Sequence, residues 1–339
     1  MKKKLIIIML VCLPAFYSRG QDSLLFSAFP KEETVHFEEF MPFKKGQARK
    51  LFLDGSTLYI WANDSDEGYF FYACNLNDKN QTGRYFTQGN GRGQLFSPFS
   101  GGIHNGMMWL HDLNLDKIVT IQPSKESDVV NEYKIPRFYY SLQLTDSFLL
   151  WGSGADHSQQ KLQQIDMRTG QELKELGTFS NAPAGIPFYS WKNAYESFLF
   201  TRPSGGKAAL AARLTDLVEV FDLENGRSRQ VKGPENYPPA FRPIQSFGKD
   251  LAERISQTRF AFVNGAVTDR YIYLLYSGNN HESRYLDQGM YIFVYDWQGN
   301  PVKRLTCDRY IKCFTVSDDD SSIYAFDVSR KAIVKMTGK

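Results

Sequence analysis

Six times along the chain a short apolar strand runs into an Asp or Asn and then a turn. The copies are Cys74-Asn75-Leu76-Asn77-Asp78, His111-Asp112-Leu113-Asn114, Ile165-Asp166-Met167-Arg168-Thr169-Gly170, Phe221-Asp222-Leu223-Glu224-Asn225-Gly226, Tyr295-Asp296-Trp297-Gln298-Gly299-Asn300 and Phe326-Asp327-Val328-Ser329. The Asp or Asn side chain bonds its own backbone two residues on, and Gly or Asn supplies the positive φ that such a turn needs. Each copy has an apolar or alternating strand upstream: Thr57–Trp61, Met107–Leu110, Ser147–Trp151, Ser197–Thr201, Tyr271–Tyr276 and Ser322–Phe326. Strands also follow several copies, at Glu172–Leu176, Ser228–Val231 and Pro301–Leu305. Intervals between copies are irregular, as expected when loops of different length are inserted into a common unit. In the second and sixth copies, which strand pair the turn joins is left open.

Half a dozen short-strand units without helices between them predict an all-β chain. About six four-stranded antiparallel units in a chain of this length point to a six-bladed β-propeller, whose blades pack radially and protect their edges. A double sandwich is the alternative. Aromatic residues make up 15% of the chain, which also favours sheet. Phe247–Ile255 is the best helical candidate. Ala208–Val220 is helical by propensity, but Thr215-Asp216 followed by Leu217-Val218-Glu219-Val220-Phe221 favours a hairpin.

The chain opens with Lys2, Lys3 and Lys4 and an apolar run from Leu5 to Phe16, too short for the roughly 20 residues that span a bilayer. Ser18 and Gly20 are the small residues of a cleavage site, so residues 1–20 read as a signal peptide and 21–339 as the propeller domain. Cys12 sits inside the apolar run behind Val11, where lipid attachment calls for a small residue. Removing residues 1–20 takes away four basic residues and no acids, leaving 36 Lys and Arg against 37 Asp and Glu. That near-neutral balance argues against a nucleic-acid partner, whose binding needs a basic surface. The expected location is the periplasm or cell envelope, with no transmembrane segment after cleavage, and the expected state is a monomer.

Gln88–Pro98 (QGNGRGQLFSP) holds three alternating glycines after a short strand. A phosphate loop would need a helix N-terminus next, because the helix end supplies the aimed N–H groups. Here Pro98 and Ser100-Gly101-Gly102 stop any helix, and no P-loop lysine follows. The glycines instead suit a tight crossing from the outer strand of one blade to the inner strand of the next. GNGRGQLFSP resembles the glycine-rich crossing of six-bladed propellers of the NHL and TolB-like kind. Thr201–Gly226 and Asp269–Leu305 resemble exported TolB-like six-bladed propellers of a type common in Bacteroidetes. Arg92-Gly93-Gln94 departs from that pattern, where relatives more often carry a proline after the arginine and glycine. The resemblance implies the fold and carries no catalytic residues with it.

No compact site chemistry is written in the chain. The five histidines, His36, His104, His111, His157 and His281, show no zinc spacing, and no G-x-S-x-G elbow occurs. Asn63–Gly68 begins like a calcium loop. Counted from Asp64 the sixth place is Tyr69, and counted from Asn63 the twelfth is Cys74 instead of glutamate. Cys74, Cys307 and Cys313 survive cleavage; the last two are either a bridge or buried apolar thiols. The expected function is a non-catalytic module that binds a protein, peptide or glycan through a loop-rich face. The candidate residues lie in four long polar loops: Asp64, Glu67, Asp156, His157, Arg202, Lys207, Asn280, His281 and Arg284. Phe138-Tyr139-Tyr140 and Phe188-Tyr189-Ser190-Trp191 could each stack a sugar or peptide. No cofactor is assigned. The alternative is a metal-dependent hydrolase or lyase, with calcium or zinc held by dispersed ligands in the central channel.

Overall fold

The computed structural model describes residues 22–63, 66–123, 128–246 and 248–337, so the expected signal peptide lies outside the described residues. The N-terminal segment contributes β1 (Asp22–Leu25), β2 (Glu32–Val35) and β3 (Phe37–Pro42). Blade one is β4 (Gln47–Asp54), β5 (Thr57–Asn63), β6 (Tyr69–Asn75) and β7 (Gln81–Thr87). Blade two is β8 (Pro98–His104), β9 (Met107–Asp112), β10 (Lys117–Gln122) and β11 (Val129–Lys134). Blade three is β12 (Ser141–Asp146), β13 (Leu149–Ser153), β14 (Gln160–Asp166) and β15 (Gln171–Thr178). A short helix, α1 (Phe188–Ala194), precedes blade four, which is β16 (Ser197–Thr201), β17 (Lys207–Ala212), β18 (Leu217–Asp222) and β19 (Ser228–Lys232). A separate hairpin, β20 (Arg242–Ser246) and β21 (Lys249–Glu253), leads into blade five: β22 (Phe262–Val267), β23 (Tyr271–Tyr276), β24 (Gly289–Asp296) and β25 (Pro301–Ile311). Blade six is β26 (Cys313–Val316), β27 (Ile323–Asp327) and β28 (Ala332–Met336), completed by β3 as its outer strand.

The chain is therefore a six-bladed β-propeller closed by its own N-terminal strand. Each blade is four antiparallel strands; blades four and five each gain a fifth, parallel edge strand, β1 and β2. The ring is hydrophobic for a simple reason. A blade is buried on both faces, so its middle strands read as unbroken apolar runs such as Tyr271–Tyr276. In β23, Ile272 and Leu274 face blade four while Tyr273 and Leu275 face blade six. The buried apolar side chains fall into six clusters, one in each seam between neighbouring blades.

Every copy of the Asx hairpin makes the predicted bond. Asn75 Oδ1 accepts from the Asn77 amide at 2.8 Å, Asp166 from Arg168 at 2.8 Å, and Asp296 from Gln298 at 2.9 Å. Asp112, Asp222 and Asp327 accept in the same way from Asn114, Glu224 and Ser329. The first, third, fourth and fifth copies join strands three and four of their blades. The second and sixth join strands two and three. Replacing Asp166, Asp222 or Asp296 with Ala is expected to lower stability by about 1 kcal/mol each. These turns lie on the face opposite the cavity described below, so binding there should not fall with stability. Urea denaturation beside a binding titration checks both.

The glycine-rich segment is a crossing from β7 to β8, held from beneath by Asp112. Its Oδ2 accepts from the amides of Phe96 and Ser97 at 2.5 and 2.7 Å, while Oδ1 accepts from Asn114 and Leu115. Gly93 has φ +71° and Gly89 φ +150°, backbone conformations that side-chain-bearing residues rarely adopt.

One local expectation is corrected. Phe247–Ile255 is not a helix: Lys249–Glu253 is a strand paired with Arg242–Ser246, because Gly248 at φ +75° makes a tight reversal. Phe188–Trp191 opens the helix α1. Ala208–Val220 is the hairpin expected from its period. Cys74, Cys307 and Cys313 are free and buried, so no Cys307–Cys313 bridge forms.

Candidate functional site

Strand direction sorts the loops onto two faces. Turns between strands one and two, or three and four, open on one face; turns between strands two and three, and the crossings between blades, open on the other. The β5–β6, β13–β14 and β23–β24 loops share the crossing face. Arg202–Lys207 joins β16 to β17, strands one and two of its blade, and so lies on the opposite face. There Arg202 Nε donates to the Asp269 carbonyl at 2.9 Å, and Lys207 pairs with Asp222 at 3.3 Å.

On the crossing face, Asp64 lies outside the described residues. Glu67 pairs with Lys45 at 2.8 Å, whose hydrogen bond holds its carboxyl below the ordinary glutamate range. His157 Nε2 lies 2.6 Å from Glu172 Oε1, which also accepts from Tyr139 Oη. Asn280, His281 and Arg284 sit on the β23–β24 loop; the His281 amide donates to the Thr258 carbonyl, and the Arg284 guanidinium lies 4.5 Å from the Tyr285 ring. Of the nine predicted residues, Asp156 alone lines the 590 Å³ pocket on this face.

That pocket is built by the two insertions. α1 sits in the crossing from blade three to blade four, and β20–β21 in the crossing from blade four to blade five. Lys192 of α1 donates to the carbonyls of Ala155 and Ser158, pulling the helix onto the β13–β14 loop. Burial lowers the Lys192 ammonium to about 8. Lys249 of the hairpin pairs with Asp156 of the same loop at 2.8 Å. The Ala252 amide donates to Asn193 Oδ1 at 2.9 Å, and Asn193 Nδ2 donates to Glu196 Oε1 at 3.0 Å. Helix, hairpin and loop are thus tied into three walls.

Phe138, Phe179, Tyr189 and Tyr195 supply the apolar lining. Phe138 is 37% and Tyr189 41% exposed, so each offers a ring to solvent. One ring from each of the two aromatic clusters marked in the sequence, Phe138 and Tyr189, therefore lines the same cavity. Glu196 and Asp250 stand among them. Burial pushes the Glu196 carboxyl up to about 7, so at neutral pH it is divided between donor and acceptor forms. Volume, rings and a few convergent polar groups are the marks of a ligand pocket. The sequence reading missed Phe179, Lys192, Glu196, Lys249 and Asp250; only the Phe188–Trp191 aromatic run pointed to this corner.

Among the described residues, no three His, Cys, Asp or Glu side chains are grouped to hold a metal ion. None of their helices is long and apolar enough to cross a membrane.

A family model described as "TolB-like 6-blade propeller-like" matches residues 38–319. No curated protein matches the chain. Among solved structures, a putative exported protein from Bacteroides fragilis is 10% identical, with TM-score 0.55, over 93% of this chain and 98% of that one. The β-propeller domain of Myceliophteria thermophila Cps50 (Swd1) is 9% identical, with TM-score 0.51, over 89% of this chain and all of that one. Hydrazine synthase from Kuenenia stuttgartiensis is 12% identical, with TM-score 0.50, over 87% and 97%. At these identities the likeness is one of fold.

Proposed function

The chain belongs to the TolB-like six-blade propeller family, and on that premise we propose that it is an exported, monomeric, non-catalytic binding module whose pocket takes a glycan. The observation that carries this is the pairing of Phe138 and Tyr189, two half-exposed rings on separate elements, around one polar-rimmed cavity. A sugar ring offers C–H faces to aromatic rings and hydroxyls to carboxylates and amides, which is the mixture lining this pocket. Export is supported by the basic and apolar residues 2–16 and by the exported Bacteroides fragilis protein of like fold. For the metal-dependent alternative, no donor set is grouped among the described residues, and Arg49, Lys50 and Arg213 in the channel mouth would repel a cation.

A glycan array with purified protein tests the proposal. The protein is expected to retain at least one oligosaccharide class. Phe138→Ala/Tyr189→Ala should bind that class roughly 30-fold more weakly, since each aromatic contact is worth about 1 kcal/mol. Melting should change little, because both rings are half-exposed. An empty array, or equal binding by the variant, would remove the glycan reading; capture of peptides through Tyr189 would replace it with a peptide.

A further inference from the structure

The channel mouth on the crossing face is a second cavity, of about 260 Å³, with no lining residue in common with the glycan pocket. Its construction begins with β-bulges. Three inner strands carry one at the same level: Arg49 in β4, Phe99 in β8 and Val263 in β22. An extra residue breaks the alternation of a strand and re-aims its side chains. As a result Arg49 and Lys50, consecutive in sequence, both line the mouth.

The carbonyls at these bulges are bonded across the ring. Arg49 donates to the carbonyls of Pro98 and Phe99, both at 3.0 Å, and Asn264 Nδ2 donates to the Arg49 carbonyl at 3.1 Å. The Arg49 charge is held against the rings of Trp61 and Phe99. Lys312 is paired with Asp287 at 3.0 Å.

Two cations have no close carboxylate partner among the described residues. Among the described residues, Lys50 Nζ has no hydrogen-bond acceptor and no carboxylate partner; it faces only the rings of Phe52 and Phe200, 5.4 and 5.8 Å away. Arg213 reaches the mouth from the β17–β18 turn, between the rings of Tyr140, Phe198 and Phe260. Its Nε is buried without a partner among the described residues. Its nearest carboxylate, Glu196 at 3.9 Å, is only partly ionised at neutral pH. Burial and the neighbouring Arg49 bring the Lys50 ammonium down to about 8, and Arg49 is itself lowered by burial and by Arg213. Cations that depress one another inside a cavity are arranged for an anion.

We propose that the channel mouth is a binding site for a small oxyanion, carboxylate or sulfate-like, held between Lys50 and Arg213 with its body against the aromatic rings. This site is additional to the glycan pocket and is linked to it only through Glu196, which lines that pocket and is the carboxylate nearest Arg213.

The test is thermal melting and calorimetric titration in a buffer free of polyvalent anions, with inorganic sulfate and with D-glucuronate as probes. Sulfate is expected to raise the Tm of the full chain. Lys50→Gln and Arg213→Gln should each weaken sulfate at least tenfold, whereas Lys303→Gln on blade five changes nothing. In anion-free buffer Lys50→Gln should melt no lower than the parent protein, because it removes an uncompensated charge; this keeps the result separate from misfolding. Glucuronate binding at least tenfold tighter than sulfate supports an organic carboxylate as the occupant, and equal or weaker binding supports a free inorganic anion. Neither probe binding the parent protein, or undiminished binding by the Lys50→Gln/Arg213→Gln double variant, overturns the site.

Discussion

Removal of residues 22–42 is expected to leave a chain that does not fold cooperatively. The segment lies far from the rest of blade six in sequence, yet β3 is that blade's outer strand, with Phe37 opposite Met336 and Pro42 opposite Ala332. It also lays β1 and β2 along blades four and five. Phe29, Val35, Phe37 and Met41 are all buried, in the seams on either side of blades five and six. At roughly 1.5–3 kcal/mol per buried side chain these four contribute about 6–12 kcal/mol. That is comparable to the whole stability of an ordinary domain, about 5–15 kcal/mol. Circular dichroism melting of the truncated protein should show a broad, featureless transition. A sharp transition within a few degrees of the full-length protein would contradict a ring closed by the N-terminal strand.

Glu219→Ala is expected to cost about 3–5 kcal/mol, the loss typical of a buried ion pair deprived of one partner. Glu219 Oε2 lies 2.6 Å from Lys161 Nζ, with both side chains under a tenth exposed. Ser228 Oγ and Gln230 Nε2 also donate to this carboxylate. Truncation strands the Lys161 charge at the wall of the 590 Å³ pocket. The double variant Lys161→Met/Glu219→Leu should recover most of the loss, because an apolar pair of similar volume carries no desolvation cost. Urea denaturation of the parent and both variants decides the matter. A loss below about 1 kcal/mol for Glu219→Ala would mean that the pair behaves like an exposed one.

The architecture was legible because it depends on local chemistry repeated along the chain. Each Asx turn is a bond between a side chain and an amide two or three residues away, so a short window contains the whole signal. The face of each loop is not local. Arg202–Lys207 looks like the other polar loops, but its face follows from its place in the strand count, which needs every strand of the blade assigned. The hairpin at 242–253 was hidden for a related reason. Lys249-Asp250-Leu251-Ala252-Glu253 has helical composition, and its strand form is imposed by the Gly248 reversal and the bond to Asn193 of α1. The pocket is assembled from two insertions and one blade loop, so its carboxylates and lysines are scattered along the chain from Asp156 to Asp250. The bulges at Arg49, Phe99 and Val263 leave no mark in composition at all, since they appear only when strand is laid against strand.

Amide hydrogen exchange with and without the best-retained oligosaccharide tests the account most directly. New protection is expected only at residues 154–161, 188–196 and 248–253, with the turns at 166–170, 222–227 and 296–300 unchanged. Protection appearing on those turns instead, or on the 202–207 loop, would place recognition on the wrong face and contradict it.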